Sequence, residues 1–299
     1  MRRFVRYSKA AIQSVFERFG YRLRLQPIQE SEPYDVRDLS NDPRALLYRT
    51  SSGSVLINAS LSRGYALDAF PLQVDGRHPF IAAISEAKDA TEPRNKIRNV
   101  LKTYYSQVRP ASAATWLGLS STEAPKLSNV PAWMRVFPWR NVSLSSRKKA
   151  IEAVAKIENR EHNTIKDIAH GWRAFGPMDD EVLEVETERL YKLMRSIQKF
   201  GLKRHNGPDG DIRAVALIND TGEWRWQCDW GGQHRVAAFA AMGYNEIPIR
   251  VWRVVFRRDV NIWPNVKSGL FTEKSALTVF DRIFDMKTPE IIGSWKSEL

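Results

Sequence analysis

The chain has 299 residues, 43% hydrophobic and 27% charged, which excludes disorder throughout and predicts two domains, or one domain with large additions. There are 46 Lys and Arg against 34 Asp and Glu, a formal net charge of +12. A single cysteine, Cys228, excludes an intramolecular disulfide and a Cys-based zinc site, and the five histidines lack metal-ligand spacing. With no apolar run near the roughly 18 residues of a membrane span and no secretory leader pattern, a reducing, cytoplasmic setting is expected.

Half of the excess charge lies in residues 1–24, where Arg2, Arg3, Arg6, Lys9, Arg18, Arg22 and Arg24 face only Glu17. Phe4, Ile12, Val15, Phe16 and Phe19 recur at helical spacing, so residues 1–25 read as a basic amphipathic helix ended by Gly20. Such a helix suits peripheral attachment to an anionic membrane surface. Docking on the protein's own core and contact with nucleic acid are the other two readings of the same pattern.

Residues 26–43, polar and interrupted by Pro27, Pro33 and Pro43, read as a linker. An N-terminal α+β domain of no recognised type is expected over 44–160. Within it, Leu46–Thr50 and Val55–Ala59 flank Ser51-Ser52-Gly53-Ser54 as a hairpin, and Asp75-Gly76 turns the chain before the apolar run His78–Ile84. Thr91-Glu92-Pro93 starts a helix whose Ile97, Val100, Leu101, Tyr104 and Tyr105 share one face, with Arg94, Lys96, Arg98 and Lys102 around the rest. The aromatic, proline-bounded stretch Pro131–Arg140 predicts a packed connection. Ser145 or Ser146 then caps a helix carrying Ile151, Val154 and Ile157.

A second domain is expected over 161–256. Leu190, Leu193, Met194, Ile197 and Phe200 define an amphipathic helix stopped by Gly201. The apolar run Ile212–Ile218, the turn Asn219-Asp220-Thr221-Gly222 and the alternating Trp224–Cys228 make a hairpin. Trp230-Gly231-Gly232-Gln233-His234-Arg235 leads into a short helix, Val236–Met242, ended by Gly243 and followed by a strand, Ile247–Trp252. Residues 257–299 form a C-terminal extension with one helix, capped by Thr272 and carrying Ala276, Phe280, Ile283 and Phe284 on one face.

The Gly-Gly turn is a candidate phosphate site. The first N–H groups of a helix lack intrahelical partners and sit at the positive end of its dipole, where they attract anions. Gly231 and Gly232 remove side chains where a phosphate must approach, and His234 and Arg235 add donors. The alternative is a tight turn with His234 as a satisfied buried ring.

Gly231-Gly232-Gln233-His234-Arg235-Val236-Ala237-Ala238, then Gly243 and Ile247-Pro248-Ile249, resembles the signature of the ParB/sulfiredoxin superfamily over about residues 171–256. The resemblance implies an α+β nucleotide-binding domain, with ATP or CTP phosphates held by Gly231, Gly232, Gln233, His234 and Arg235. Where sulfiredoxins carry their nucleophilic cysteine this chain has Gln233, so sulfinic-acid reduction is rejected; Cys228, five residues earlier, does not replace it. The kinase relatives have an acidic residue where this chain has Gly231, although Asp229 is two residues away. Glu184, Glu186 and Glu188 lie where the family keeps a carboxylate that activates an acceptor hydroxyl, and Glu184 and Glu188 could share a helix face. Helix-start acids also act simply on the dipole. Phosphoryl transfer to a small molecule, or to a glycan or lipid precursor near a membrane, is thus one implied activity, with Glu184, Glu186 and Asp229 as catalytic candidates and Mg²⁺ as the expected companion of the phosphates. The competing reading is a non-catalytic nucleotide-gated adaptor or DNA-associated protein. Sequence-specific DNA binding stands second, because one C-terminal helix cannot make the helix-turn-helix reader of segregation-type ParB proteins.

Overall fold

Ala214-Val215-Ala216-Leu217-Ile218 is apolar at every position, which suits a strand covered on both faces. In the computed structural model, which describes residues 32–49, 53–73, 77–161, 164–204, 210–293 and 295, this run is the central strand of a seven-stranded mixed sheet. The strands are β1 (Tyr34–Asp35), β2 (Val55–Ser60), β3 (Gly64–Ala66), β4 (Phe70–Pro71), β5 (Arg213–Ile218), β6 (Trp224–Cys228) and β7 (Glu246–Phe256), in the order β1-β2-β7-β5-β6-β3-β4. Parallel and antiparallel pairings alternate across the sheet, with Ile57 opposite Ile249 and Val215 opposite Gln227. The fold is therefore α+β.

The helices divide between the two faces by the period-2 alternation of β5. Ala214 and Ala216 face a core built with α1 (Pro79–Ala87), α2 (Pro93–Gln107), α4 (Asp180–Phe200) and α5 (Gln233–Ala241), and α3 (Leu144–Glu158) adds Ile151 and Ala155 to it. Val215 and Leu217 face a second core with α6 (Glu273–Phe284), whose Ala276, Val279, Phe280 and Ile283 are fully buried. In this second core Trp139 stacks on Phe137 at 5.1 Å and meets Trp263 and Phe280 edge-on. Gly64 lets β3 cross the large Trp226 ring of β6, since a Cβ there would stand 2.4 Å from it.

Several local expectations hold. All five residues of the Ile97–Tyr105 face are buried in α2, and Glu92 precedes Pro93 as its N-cap. The Thr272 cap is a reciprocal box with Ser275, each side chain taking the other's backbone N–H at 3.0 Å. Gly201 ends α4 with φ of +68°.

Other expectations are corrected. Residues 43–48 form a 3-10 helix, not the first strand of a hairpin, because Pro43 opens it and Asp42 accepts the Arg44 N–H at 2.8 Å. The run from His78 is helix α1, capped by the His78 ring. Ser143 rather than Ser145 or Ser146 caps α3, whose buried residues are Ile151 and Ala155, while Ile157 is exposed. Tyr34–Asp35, within the expected linker, is a sheet strand. The expected boundary at 160/161 does not separate two cores. Strands β2 and β3 of the earlier stretch hydrogen-bond to β7 and β6 of the later one, and residues 33–299 form one compact unit. The basic helix expected over residues 1–25 lies outside the described residues.

Candidate functional site

Strand β6 ends at Cys228, and the turn Asp229-Trp230-Gly231-Gly232 delivers the chain into α5. Two residues of the turn adopt left-handed backbone, Trp230 with φ of +42° and Gly232 with φ of +95°. A non-glycine residue in that region is uncommon and costs of order 1 kcal/mol, so the surroundings must hold it. They do so through Gln233. Its side-chain amide donates to the Cys228 carbonyl at 3.1 Å, and its oxygen accepts the Leu67 N–H at 2.8 Å. Leu67 and Asp68, between β3 and β4, are themselves left-handed non-glycine residues, and this geometry carries the Asp68 carboxylate to the same place as Asp229. Gln233 is thus a buried clasp between two strained turns.

Beside this clasp lies a cavity of about 50 Å³, at the meeting of the two cores, lined by Asp68, Asp229, Trp230, Gln233 and the guanidiniums of Arg135, Arg140, Arg147 and Arg173. Arg135 pairs with Asp68, Arg140 with Asp229, and Arg173 with Glu158 outside the cavity. Asp229 also accepts the Trp252 indole N–H at 2.9 Å. No carboxylate among the described residues pairs with Arg147, whose guanidinium sits 5.2 Å from the Trp230 ring centre. The Nε atoms of Arg135 and Arg147 are both buried without a hydrogen-bond partner. Burial and the neighbouring Arg140 push Arg147 down to about 10, and burial with Arg147, Arg173 and Arg140 nearby holds Arg135 well below the ordinary arginine value. The N-terminus of α5 beside the cavity has no side-chain cap.

The phosphate candidates separate into two groups. Gly231, Gly232 and Gln233 stay with the turn at the cavity. His234 does not line it. The His234 ring stacks on Phe80 at 4.7 Å, and its Nε2 meets a Glu186 oxygen at 2.7 Å, the satisfied ring that was the alternative reading. Arg235 donates to the Gly210 carbonyl at 2.9 Å and also does not line the cavity.

Compared with protein-family models, curated proteins and solved structures, the chain matches none.

Of the three catalytic candidates only Asp229 borders the cavity. Glu186, 1% exposed, joins His234 to Arg189; burial works to raise its carboxyl, but the charges of Arg189 and His234 outweigh it and hold it at about 2. Glu184 pairs with Arg94 and Arg98, and Glu188 with Arg94 and Lys192. The basic positions around α2 are therefore, in part, partners for the acids of α4. Cys228 is buried, and burial, with Asp229 beside it, raises its thiol far above the range of a reactive thiolate. The arginines were missed by sequence reasoning, which took Pro131–Arg140 only as packing. The available signal was Arg135 and Arg140 inside an aromatic, proline-bounded run, since arginine is rarely buried without a counter-charge.

Proposed function

We propose that the protein binds a nucleotide, ATP or CTP, with its phosphates at the N-terminus of α5. The observation that carries this reading is the uncapped N-terminus behind the Gly231-Gly232 turn, opening beside a cavity where guanidiniums outnumber carboxylates. The succession of β5, β6, Gly-Gly turn, α5 and β7, with β7 parallel beside β5, supports the ParB/sulfiredoxin resemblance stated for residues 171–256. The phosphate contacts fall to the backbone N–H groups at Gly232, Gln233 and His234, while the His234 and Arg235 side chains brace the helix and the Gly210 end of its neighbouring loop.

A second reading, a nucleotide-gated adaptor without phosphoryl transfer, is favoured by the placement of the acids. Glu184 and Glu186 are held by arginines outside the cavity, and Asp229 is engaged by Arg140 and Trp252, so a kinase would have to release Asp229 to accept a hydroxyl proton. The same commitments bear on Mg²⁺. Both cavity carboxylates are taken by guanidiniums, so Mg²⁺, commonly held by one or two carboxylates together with the phosphates, would need Asp68 or Asp229 released from its arginine. The membrane and nucleic-acid partners proposed for residues 1–24 rest on the basic charge and the helical spacing of Phe4, Ile12, Val15, Phe16 and Phe19; among the described residues no helix is long and apolar enough to cross a membrane.

The test is calorimetry with ATP and CTP on the wild type and on Gly231→Asp. A Cβ at Gly231 meets nothing within 4 Å, so the fold should survive, while a carboxylate beside the helix N-terminus should repel phosphate and weaken binding at least about tenfold. Equal binding by Gly231→Asp, or none by the wild type, would remove the reading.

A further inference from the structure

We infer that the arginine cavity is a seat for one phosphoryl group, with Arg147 as the residue that waits for it. Three of its four guanidiniums come from the segment 135–147, outside the stretch that carries the resemblance. The inference deepens the nucleotide reading but rests on separate observations, and either can stand without the other.

The first observation is an imbalance of partners. Arg135, Arg140 and Arg173 each have a carboxylate, whereas Arg147 has an aromatic ring and a buried, unpartnered Nε. Arg135 is 5% exposed, and its pairing with Asp68 still leaves its own Nε without an acceptor. Buried polar groups are nearly always satisfied, and the four arginines at this cavity find three carboxylates between them, which leaves Arg147 without a charged partner among the described residues. A second observation is position. Arg147 lies one turn into α3, a place where a cation opposes the helix dipole. An anion between the α3 and α5 N-termini would answer both helices and Arg147 together. The third is size. A cavity of about 50 Å³ holds a few waters or one tetrahedral oxyanion. A nucleotide would bring one phosphoryl group to these guanidiniums, beside Trp230. Free phosphate or a phosphomonoester would satisfy the same donors. An anionic group is favoured because, of the four guanidiniums in the lining, Arg147 has no carboxylate among the described residues to neutralise it.

The experiment measures binding of inorganic phosphate and of ATP, by calorimetry and by thermal unfolding at constant ionic strength in chloride, for the wild type, Arg147→Ala and Arg147→Gln. Phosphate should raise the wild-type melting temperature. Without added anion both variants should melt close to the wild type or above it, because an unpaired cation among guanidiniums is removed. Their affinity for phosphate should fall at least about tenfold, the loss of a charged hydrogen bond. Should Arg147→Ala fail to fold, Arg147→Gln, which keeps most of the stem and an amide donor but not the charge, decides the matter. Phosphate binding that is absent in the wild type, or unchanged in the variants, overturns the inference. If ATP binds the wild type and the Arg147 variants equally but not Gly231→Asp, the nucleotide reading stands and the phosphoryl seat falls. When phosphate binding depends on Arg147 and neither ATP nor CTP binds, the seat stands and the nucleotide reading falls.

Discussion

Glu186→Ala should destabilise the protein by about 3–5 kcal/mol, the usual cost of removing one partner from a buried ion pair. Glu186 is 1% exposed and serves two partners at once, the Arg189 guanidinium on its own helix and the His234 ring at 2.7 Å. Truncation strands Arg189, whose remaining partner is the Glu158 carbonyl at 2.7 Å, and frees the His234 ring that stacks on Phe80 near the start of α5. Urea unfolding would measure the loss. A change below about 1 kcal/mol would mean that water replaces the carboxylate, as at an exposed pair. Glu186→Gln keeps the volume and a hydrogen bond to His234, so it should cost less than the alanine. The carboxyl is held at about 2 in the folded protein, against 4.5 ordinarily. Its contribution is therefore complete above pH 4.5 and disappears as the pH falls from there toward 2.

A second large effect should appear at milder acidity. His78 is fully buried between Phe70 and Phe80, with ring centres 5.3 and 5.6 Å away, and burial, with His234 adding to it, pushes it down to about 3 from 6.5. Its Nδ1 accepts the Phe80 N–H at 3.2 Å and caps α1, while its Nε2 has no partner. The unfolded chain thus takes up a proton below pH 6.5 that the folded protein refuses. Stability should be full above pH 6.5 and fall by up to about 1.4 kcal/mol per pH unit on acidification, reaching about 4 kcal/mol near pH 3. Between 6.5 and 4.5 this slope precedes the loss from Glu186. His78→Asn retains a capping acceptor and removes the titration. Its stability, measured by denaturant unfolding at a series of pH values, should be flatter across that window. An unchanged slope would assign the acid sensitivity to another group.

The elements that were legible in the sequence are those whose cause is local. The five-residue apolar face of α2, the Thr272 cap of α6, the stop at Gly201 and the hairpin around Asn219–Gly222 each follow from spacing or turn chemistry within a few residues, and each is where the pattern puts it. The position of the Gly-Gly turn before a short helix was legible for the same reason.

What surrounds that turn was not. The sequence by itself determined the α+β class, the main helical faces and the place of the Gly231-Gly232 turn. Only the tertiary structure decided that β2 and β3 join the sheet of the later half, that His234 serves Glu186, and that four arginines gather beside the turn. The physical reason is range. Periodicity and capping act over one or two turns of chain. The pairing of Arg140 with Asp229, by contrast, spans 89 residues, and whether a guanidinium is buried, paired or left waiting depends on carboxylates that only folding brings near.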